Sequence, residues 1–239
     1  MKTRPMLIVL LGLMLCGCSR KGTPVLAANF GAALVESSGG KQIGATGTVL
    51  PQPVVVQVND DQGNAIVGAP VAFSGPADID FDPATGTTDS SGQFTTNVRL
   101  GGMAGRYQFT ARTRTKAQKA VELKIEAIAL GYQQQVGFRL DDKYCARCHN
   151  PESSAQRVSN FDNLEVKPHP FTEGDTLNKM SDADLTAIIS HGGPALNKSP
   201  LMPPYGYTLS RTEIEALIAY IRLISDPPYH AAGTVYAEK

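Results

Sequence analysis

Alternating apolar and polar residues mark a series of short strands in the first half of the chain. Val54, Val56 and Val58 share one side of an extended segment, and the stretch 61–64 that follows has the composition of a turn. The alternation returns in four further segments, at 71–73, 94–100, 107–111 and 121–127. Strands with one apolar face at this spacing predict two sheets packed face to face.

Two stretches of this region resemble the bacterial Ig-like repeats of the intimin and invasin kind. They read GTVLPQPVVVQVNDDQGNAIVGAPVAF and TTDSSGQFTTNVRLGGMAGRYQFTAR. The shared features are a valine strand before an Asp-x-x-Gly turn, a Thr-Asp-x-x-Gly turn and a closing Ala-Gly-x-Tyr strand. The resemblance implies an Ig-like domain at 32–130 that serves as a spacer or adhesive module rather than a catalyst.

Helical periodicity replaces the alternation in the second half of the chain. Ser181 begins a short predicted helix that ends at Gly192, and Ser210 opens a capping box for the last predicted helix, which ends near Ile224. Apolar residues at helical spacing on that last helix are Ile214, Leu217, Ile218 and Ile221. One face of the last helix is therefore expected to pack inward.

The first residues have the composition of an export signal. Lys2 and Arg4 precede an apolar run, 6–15, that is too short to span a bilayer as a helix. A signal peptide is therefore expected at 1–17. An ordinary cleaved signal is one interpretation, and a lipoprotein signal is the other.

The end of the signal favours the lipoprotein interpretation. Leu-Cys-Gly-Cys at 15–18 resembles the lipobox of bacterial lipoproteins, which implies lipidation of Cys18 and a tether at 18–31. Several acyl chains would hold the protein stably on a membrane. Ser19 resembles outer-membrane sorting, so the expected location is the bacterial cell envelope, at the outer membrane and facing the periplasm or the cell surface.

The stretch CARCHN at 145–150 holds two of the four cysteines and one of the four histidines. A thioredoxin-like disulfide would need a surrounding βαβ unit, a zinc site would need a fourth ligand, and a plain disulfide leaves His149 unused. Covalent haem attachment uses all three residues. The thiols of Cys145 and Cys148 add to the two vinyl groups of one haem, and the imidazole of His149 binds the iron.

Four downstream residues are candidates for the second axial ligand: His169, Met180, His191 and Met202. Packing before a helix cap explains Met180, and a position in a last helical turn explains His191. His169, between two prolines, is open as a loop residue or a ligand. Met202 begins Met-Pro-Pro-Tyr-Gly, whose prolines predict a stiff loop able to hold the thioether in place, although core packing is the usual role of methionine.

CARCH, the glycine pair at 192–193, Met-Pro-Pro-Tyr-Gly and the capped last helix occur in the order typical of class I cytochrome c domains. The chain resembles this family over roughly 131–226, and the resemblance implies an all-α domain at 131–228 with one covalent haem c. It also implies site roles, with Cys145 and Cys148 as thioether anchors, His149 as proximal ligand and Met202 as distal ligand.

One position departs from that family. Class I cytochrome c domains usually have an aromatic residue about four residues before the first cysteine, packed on the last helix, and this chain has Asp141 there. The packing of the first helix is therefore left open.

These patterns predict a multidomain chain, an all-β Ig-like sandwich followed by an all-α cytochrome c domain and a tail at 229–239. Because side chains fill both axial positions of the iron, the expected function is electron transfer between redox protein partners and not catalysis. Basic and acidic residues number 22 each, so no excess of positive charge points to nucleic acid. Two alternatives stay open: partner or glycan binding by the Ig-like half, and gas sensing or peroxidase activity if Met202 dissociates.

Overall fold

The computed structural model of the chain describes residues 29–154 and 157–231. The predicted signal peptide, the predicted lipidation site Cys18 and most of the predicted tether lie outside the described residues, as does the end of the predicted tail. Within the described ranges, no helix has both the length and the apolar character that crossing a membrane requires.

The first part of the described chain consists of strands in two sheets. In chain order they are Ala33–Ser38 (β1), Gln42–Ala45 (β2), Val54–Asn59 (β3), Pro70–Ser74 (β4), Asp80–Asp82 (β5), Thr85–Thr87 (β6), Gln93–Arg99 (β7), Gly105–Arg114 (β8) and Ala120–Leu130 (β9). One sheet has the order β1-β3-β7-β5 and the other β2-β9-β8-β4-β6. Neighbouring strands pair antiparallel, except that β2 pairs with β9 in parallel.

The two sheets enclose an apolar core that follows the alternation of the sequence. In β3, Val54, Val56 and Val58 are fully buried. Four aromatic rings pack in the same core, with neighbouring centroids 5.5 to 6.4 Å apart, and they belong to Phe73, Phe81, Phe94 and Phe109. The strand predicted from the three valines is thus present, and its apolar face lies between the sheets.

Short helices make up much of the second part. They are Tyr132–Leu140 (α1), Ala146–His149 (α2), Gly174–Leu177 (α3), Asp182–His191 (α4) and Arg211–Ile224 (α5). One turn of π-helix, Asp141–Cys145, connects α1 to α2. The predicted caps at Ser181 and Ser210 are confirmed, because each side chain accepts a hydrogen bond from the third backbone N–H of its helix within a complete capping box.

The second part is not the all-α domain that the sequence predicts. Its helices are joined by a π-turn, 3-10 turns and loops, and an isolated parallel β-bridge joins Glu173 to Asp226. Its apolar core also includes Ile128 and Leu130, which belong to the last strand of the sandwich. The structure of this part is therefore mixed, and the prediction of a purely helical domain is wrong.

The physical reason lies in the double burial of strand β9. Successive side chains of a strand point to opposite faces, and the last four residues of β9 are buried on both. Ala127 and Ala129 belong to the core between the sheets, whereas Ile128 and Leu130 belong to the core under the helices. Alternation alone reveals one buried face of a strand and does not indicate that helices cover the other.

Helices α1 and α5 pack closely because Gly137 has no side chain. A Cβ atom at this position would lie 2.2 Å from the carbonyl oxygen of Ala216 and 2.6 Å from Cβ of Tyr220. Beside this contact, the ring centroids of Phe138 and Tyr220 are 5.7 Å apart. Phe138 thus makes the aromatic contact between the first and last helices, which the sequence did not predict because Asp141 stands at the usual aromatic position.

Candidate cofactor site

The second part of the chain contains a cavity of about 560 Å³ beside helix α2. Cys145, Cys148, His149 and Met202 all line it. Its other walls are mostly apolar and include Phe171, Leu185, Ile188, Ile189, Leu217 and Ile221. Sites for small cofactors typically measure about 300 to 1,000 Å³ and combine apolar walls with a few polar groups. The residues present therefore fit a haem.

Both cysteines lie in the short helical segment that follows α1. Cys145 ends the π-turn and is buried, Cys148 lies in α2 and is half-buried, and neither forms a disulfide. Burial, with smaller contributions from Asp141 and Cys148, raises the pKa of the Cys145 thiol to about 12. Within residues 29–154 and 157–231 no strand follows these cysteines, so the βαβ unit of a thioredoxin-like disulfide is not formed around them.

The positions of the possible metal ligands disfavour a zinc site. Among residues 29–154 and 157–231, no three side chains of His, Cys, Asp or Glu are grouped so that they could hold a metal ion. A structural zinc site needs four such ligands in a tetrahedron. Iron between one imidazole and one thioether does not need such a group.

Two contacts orient the imidazole of His149. Its Nδ1 lies 2.8 Å from the backbone carbonyl oxygen of His169, and because a carbonyl can only accept, Nδ1–H donates. The proton is thereby fixed on Nδ1, and the Nε2 lone pair is available to a metal. The ring of Phe171 packs 4.6 Å from the imidazole, and burial lowers the pKa of His149. His149 is therefore held in the neutral form, in which an imidazole can bind a metal.

The other candidate ligands differ in their access to the cavity. His169 lines it, but its Nδ1 lies 3.0 Å from Oε2 of Glu173, so this carboxylate engages the ring. Met180 also lines the cavity and packs against the helical core. His191 is exposed in the last turn of α4 and is not part of the cavity wall. Met180 and Met202 are thus the thioethers that the structure brings to the cavity.

The loop that carries Met202 packs against a pair of glycines. The backbone N–H of Gly193 donates to the carbonyl oxygen of Met202 at 3.1 Å, and that of Met202 donates to Ser199 at 3.3 Å. A Cβ at position 193 would lie 1.9 Å from the carbonyl oxygen of Ser199, and one at Gly192 would lie 2.7 Å from that of Met202. Gly192 also has φ +81°, which favours glycine. The pair therefore permits the close approach that positions Met202.

Tyr205 attaches the same loop to the cysteine-bearing segment. Its hydroxyl donates to the carbonyl oxygen of Tyr144 at 2.9 Å, and its backbone N–H donates to Ile189 in α4 at 2.9 Å. Tyr144 and Tyr205 both line the cavity, and their ring centroids are 5.8 Å apart. The motif Met-Pro-Pro-Tyr-Gly includes Tyr205 but does not predict this role, because its partner is the backbone carbonyl of Tyr144, far away in the sequence.

Residues 133–221 match the family model described as cytochrome c oxidase, cbb3-type, subunit III. This segment includes α1 from its second residue, most of α5 and the four residues predicted to hold the haem. The match identifies a cytochrome domain, which implies haem c and a role in electron transfer. It covers well under half of the 239 residues and leaves the sandwich unassigned.

Solved structures similar to the chain include parts of intimin and invasin. The D00–D0 domain of intimin is 18% identical over 41% of this chain and 46% of its own length, with a TM-score of 0.32. The Yersinia pseudotuberculosis adhesin InvE is 14% identical over 42% of this chain and 32% of its own, with a TM-score of 0.31. Invasin, a bacterial integrin-binding protein, is 17% identical over 41% and 19%, with a TM-score of 0.31.

The chain thus spans less than half of the length of these solved structures. TM-scores this low support no argument about function, and the sandwich described above stands on its own strand pairing. No curated protein matches the chain.

Proposed function

We propose that the chain is a monohaem c-type cytochrome that carries single electrons between redox proteins of the bacterial cell envelope. The observation that carries this proposal is the single cavity that Cys145, Cys148, His149 and Met202 all line. The family match at 133–221 supports a cytochrome domain. The residue roles, the number of haems, the anchor and the partners go beyond that match.

In this proposal the thiols of Cys145 and Cys148 form thioethers with the porphyrin, and Nε2 of His149 and the sulfur of Met202 bind the iron. Three features support these roles: the thiols are unpaired, the carbonyl of His169 leaves Nε2 free, and the glycine pair fixes the Met202 loop. When bound, haem c supplies a centre that gains or loses one electron. Since side chains fill both axial positions, the chain carries electrons and does not transform a substrate.

The cavity walls contribute to the redox potential. Leu185, Ile189, Leu217 and Ile221 are buried and line the cavity, so they exclude water from it. An apolar environment disfavours the more highly charged oxidised state, and a methionine ligand does the same relative to a second histidine. We expect a potential above that of a cytochrome with two histidine ligands.

The proposed anchor is the lipidated Cys18, which holds the chain at the outer membrane, facing the periplasm or the cell surface. In this arrangement the sandwich acts as a spacer that holds the cytochrome domain away from the bilayer. Support for the anchor comes from the residues 15–18 in the sequence. Replacement of Cys18 by serine should release the protein from the membrane fraction, and retention there would contradict the lipid anchor.

Production of the mature chain in a host that matures c-type cytochromes tests the haem. Wild-type protein should give a c-type pyridine haemochrome and keep the mass of one added haem after denaturation. The double variant Cys145→Ser, Cys148→Ser should lose the haem on denaturation. A colourless wild-type protein of unmodified mass would contradict the proposal.

A matched pair of methionine variants tests the axial ligand, because Met180 and Met202 line the same cavity. Met202→Leu should abolish the spectral features of thioether ligation and lower the redox potential, whereas Met180→Leu should preserve both. The opposite result would assign the ligand to Met180. Fast and complete binding of carbon monoxide to the reduced wild type would instead favour a gas sensor or a peroxidase.

A further inference from the structure

A second cavity of about 260 Å³ adjoins the first. His149 and Phe171 line both cavities, so their packed rings form part of the wall between the two. Unlike the first cavity, the second is lined by two carboxylates and a guanidinium, from Asp141, Asp142 and Arg157. The group that binds the proposed haem iron therefore has a charged cavity on its other side.

Asp141 is the half-buried acid of the second cavity. Its carboxylate makes no hydrogen bond or ion pair within residues 29–154 and 157–231, although burying an ionised carboxylate without partners is costly. Burial raises the pKa of Asp141 to about 7; Arg157 opposes the rise and Asp142 adds to it. Binding a proton neutralises the carboxylate and so lowers the free-energy cost of burying it.

The groups that face Asp141 leave its charge largely uncompensated. On its own segment, Asp142 is exposed, and Cys145 is uncharged both as a free thiol and as the proposed thioether. From α5, Tyr220 is also neutral, since burial and the nearby carboxylates raise its pKa. The cation is Arg157, whose Nη1 donates to a backbone carbonyl at 2.9 Å and whose Nε lies 3.7 Å from Asp142. Arg157 therefore acts on Asp141 through its charge, which opposes the rise in pKa, and donates no hydrogen bond to it.

We propose that Asp141 is a proton-binding site whose occupancy follows the oxidation state of the haem held by His149, which rests on the electron-carrier function proposed above. On reduction, one electron enters the haem site from the redox donor, and one proton from solvent forms an O–H bond on a carboxylate oxygen of Asp141. Oxidation reverses both transfers. Asp142 at the cavity wall is exposed, so water reaches the cavity.

The coupling follows from charge. Reduction removes one positive charge from the haem site, and a neighbouring carboxylate then loses an attractive partner and binds a proton more readily. By linkage, deprotonation of Asp141 favours the oxidised site to the same extent that oxidation favours deprotonation. The midpoint potential should therefore fall as the pH rises through about 7.

A pair of neighbouring variants tests the inference on the full haem-loaded chain. Potentiometric titrations of the wild type, Asp141→Asn and Asp142→Asn should be made from about two pH units below to two above 7. The wild type and the exposed-site control Asp142→Asn should lose potential with rising pH around 7, and Asp141→Asn should lose that dependence. An Asp141→Asn protein with the wild-type dependence would overturn the inference.

A second measurement uses the wild type alone and does not depend on the folding of a variant. Reduced-minus-oxidised infrared spectra of the wild type near pH 7 should show the gain of a protonated carboxyl group, with one proton taken up per electron or a fraction of one. Reversible reduction without proton uptake and without pH dependence would overturn this inference alone. A chain that binds no haem would overturn the proposed function as well, so the two failures are distinguishable.

Discussion

The hydroxyl of Tyr205 donates a hydrogen bond to the backbone carbonyl of Tyr144, 2.9 Å away. This bond joins the loop of Met202 to the residue just before Cys145. The proposed distal ligand and the proposed thioether anchors are thereby attached to each other by the protein itself. The bond therefore limits how far the two segments can move apart.

Tyr205→Phe should loosen this attachment. The variant removes one hydrogen bond and leaves the half-buried carbonyl of Tyr144 without that donor, so we expect a loss of about 1 kcal/mol in the free energy of unfolding. Urea denaturation followed by far-UV circular dichroism measures it. Tyr207→Phe is the matched control, because the Tyr207 side chain is fully exposed, and its stability should equal that of the wild type.

Gly193→Ala should displace the loop of Met202. Its new methyl group would lie 1.9 Å from the carbonyl oxygen of Ser199, so the loop must move, and we expect a loss of about 2 kcal/mol or more in unfolding free energy. The signature of thioether ligation in the haem spectrum should weaken in parallel. Gly102→Ala, with no atom within 4 Å of its added carbon, should leave both unchanged.

Local features of the sequence predicted the elements around this site. Ser181 and Ser210 are capped as expected, because a capping box depends on residues three apart in the chain. Cys145, Cys148, His149 and Met202 also reach one cavity, but their chemical roles remain predictions. The bond from Tyr205 could not be predicted, since it depends on how two distant segments meet.

The stability of the chain should depend on pH through Asp141. In the folded protein its pKa is raised from 3.8 to about 7 by burial, so the folded state holds a proton that the unfolded state has released between these values. This contribution is fully present below about pH 4 and is lost as the pH rises to about 7.

Asp141→Asn should remove this decrease of stability with rising pH. The variant should match the wild type near pH 4 and exceed its unfolding free energy by up to about 4 kcal/mol near pH 8, since the pKa rises from 3.8 to about 7 and each pK unit is worth about 1.4 kcal/mol. Thermal or urea denaturation at several pH values measures the difference. Asp142→Asn should keep a pH-dependent profile, shifted to lower pH because Asp142 adds to the raised pKa of Asp141. A profile flattened equally in both variants would contradict the assignment to Asp141.

Leu130→Ala should destabilise the region around the candidate site although the residue lies in a strand. Leu130 is 3% exposed and packs in the helical core, and a buried leucine replaced by alanine typically costs about 2 to 5 kcal/mol. Denaturation followed by haem absorbance should register the change. Val67→Ala, at a side chain 48% exposed, should have little effect.

Strand β9 also shows where the sequence was insufficient. Its alternation from Val121 to Ala127 predicted a strand of the sandwich, and that strand is present. Ile128 and Leu130 are buried because α1 and α5 pack over them. In the sequence, the end of this strand looks the same as the end of a strand that no helix covers. The domain boundary expected after residue 130 therefore separates Ile128 and Leu130 from the helical core to which they belong.

The shared strand limits how the two halves could have been recombined. A gene fusion or a truncation that begins at residue 131 would carry the cysteine-histidine segment and leave Ile128 and Leu130 behind, so that an apolar patch on α1 and α5 would face water. A cytochrome domain cut at residue 131 would therefore lack part of its apolar core. Any exchange of the upstream half has to bring a replacement for the end of β9.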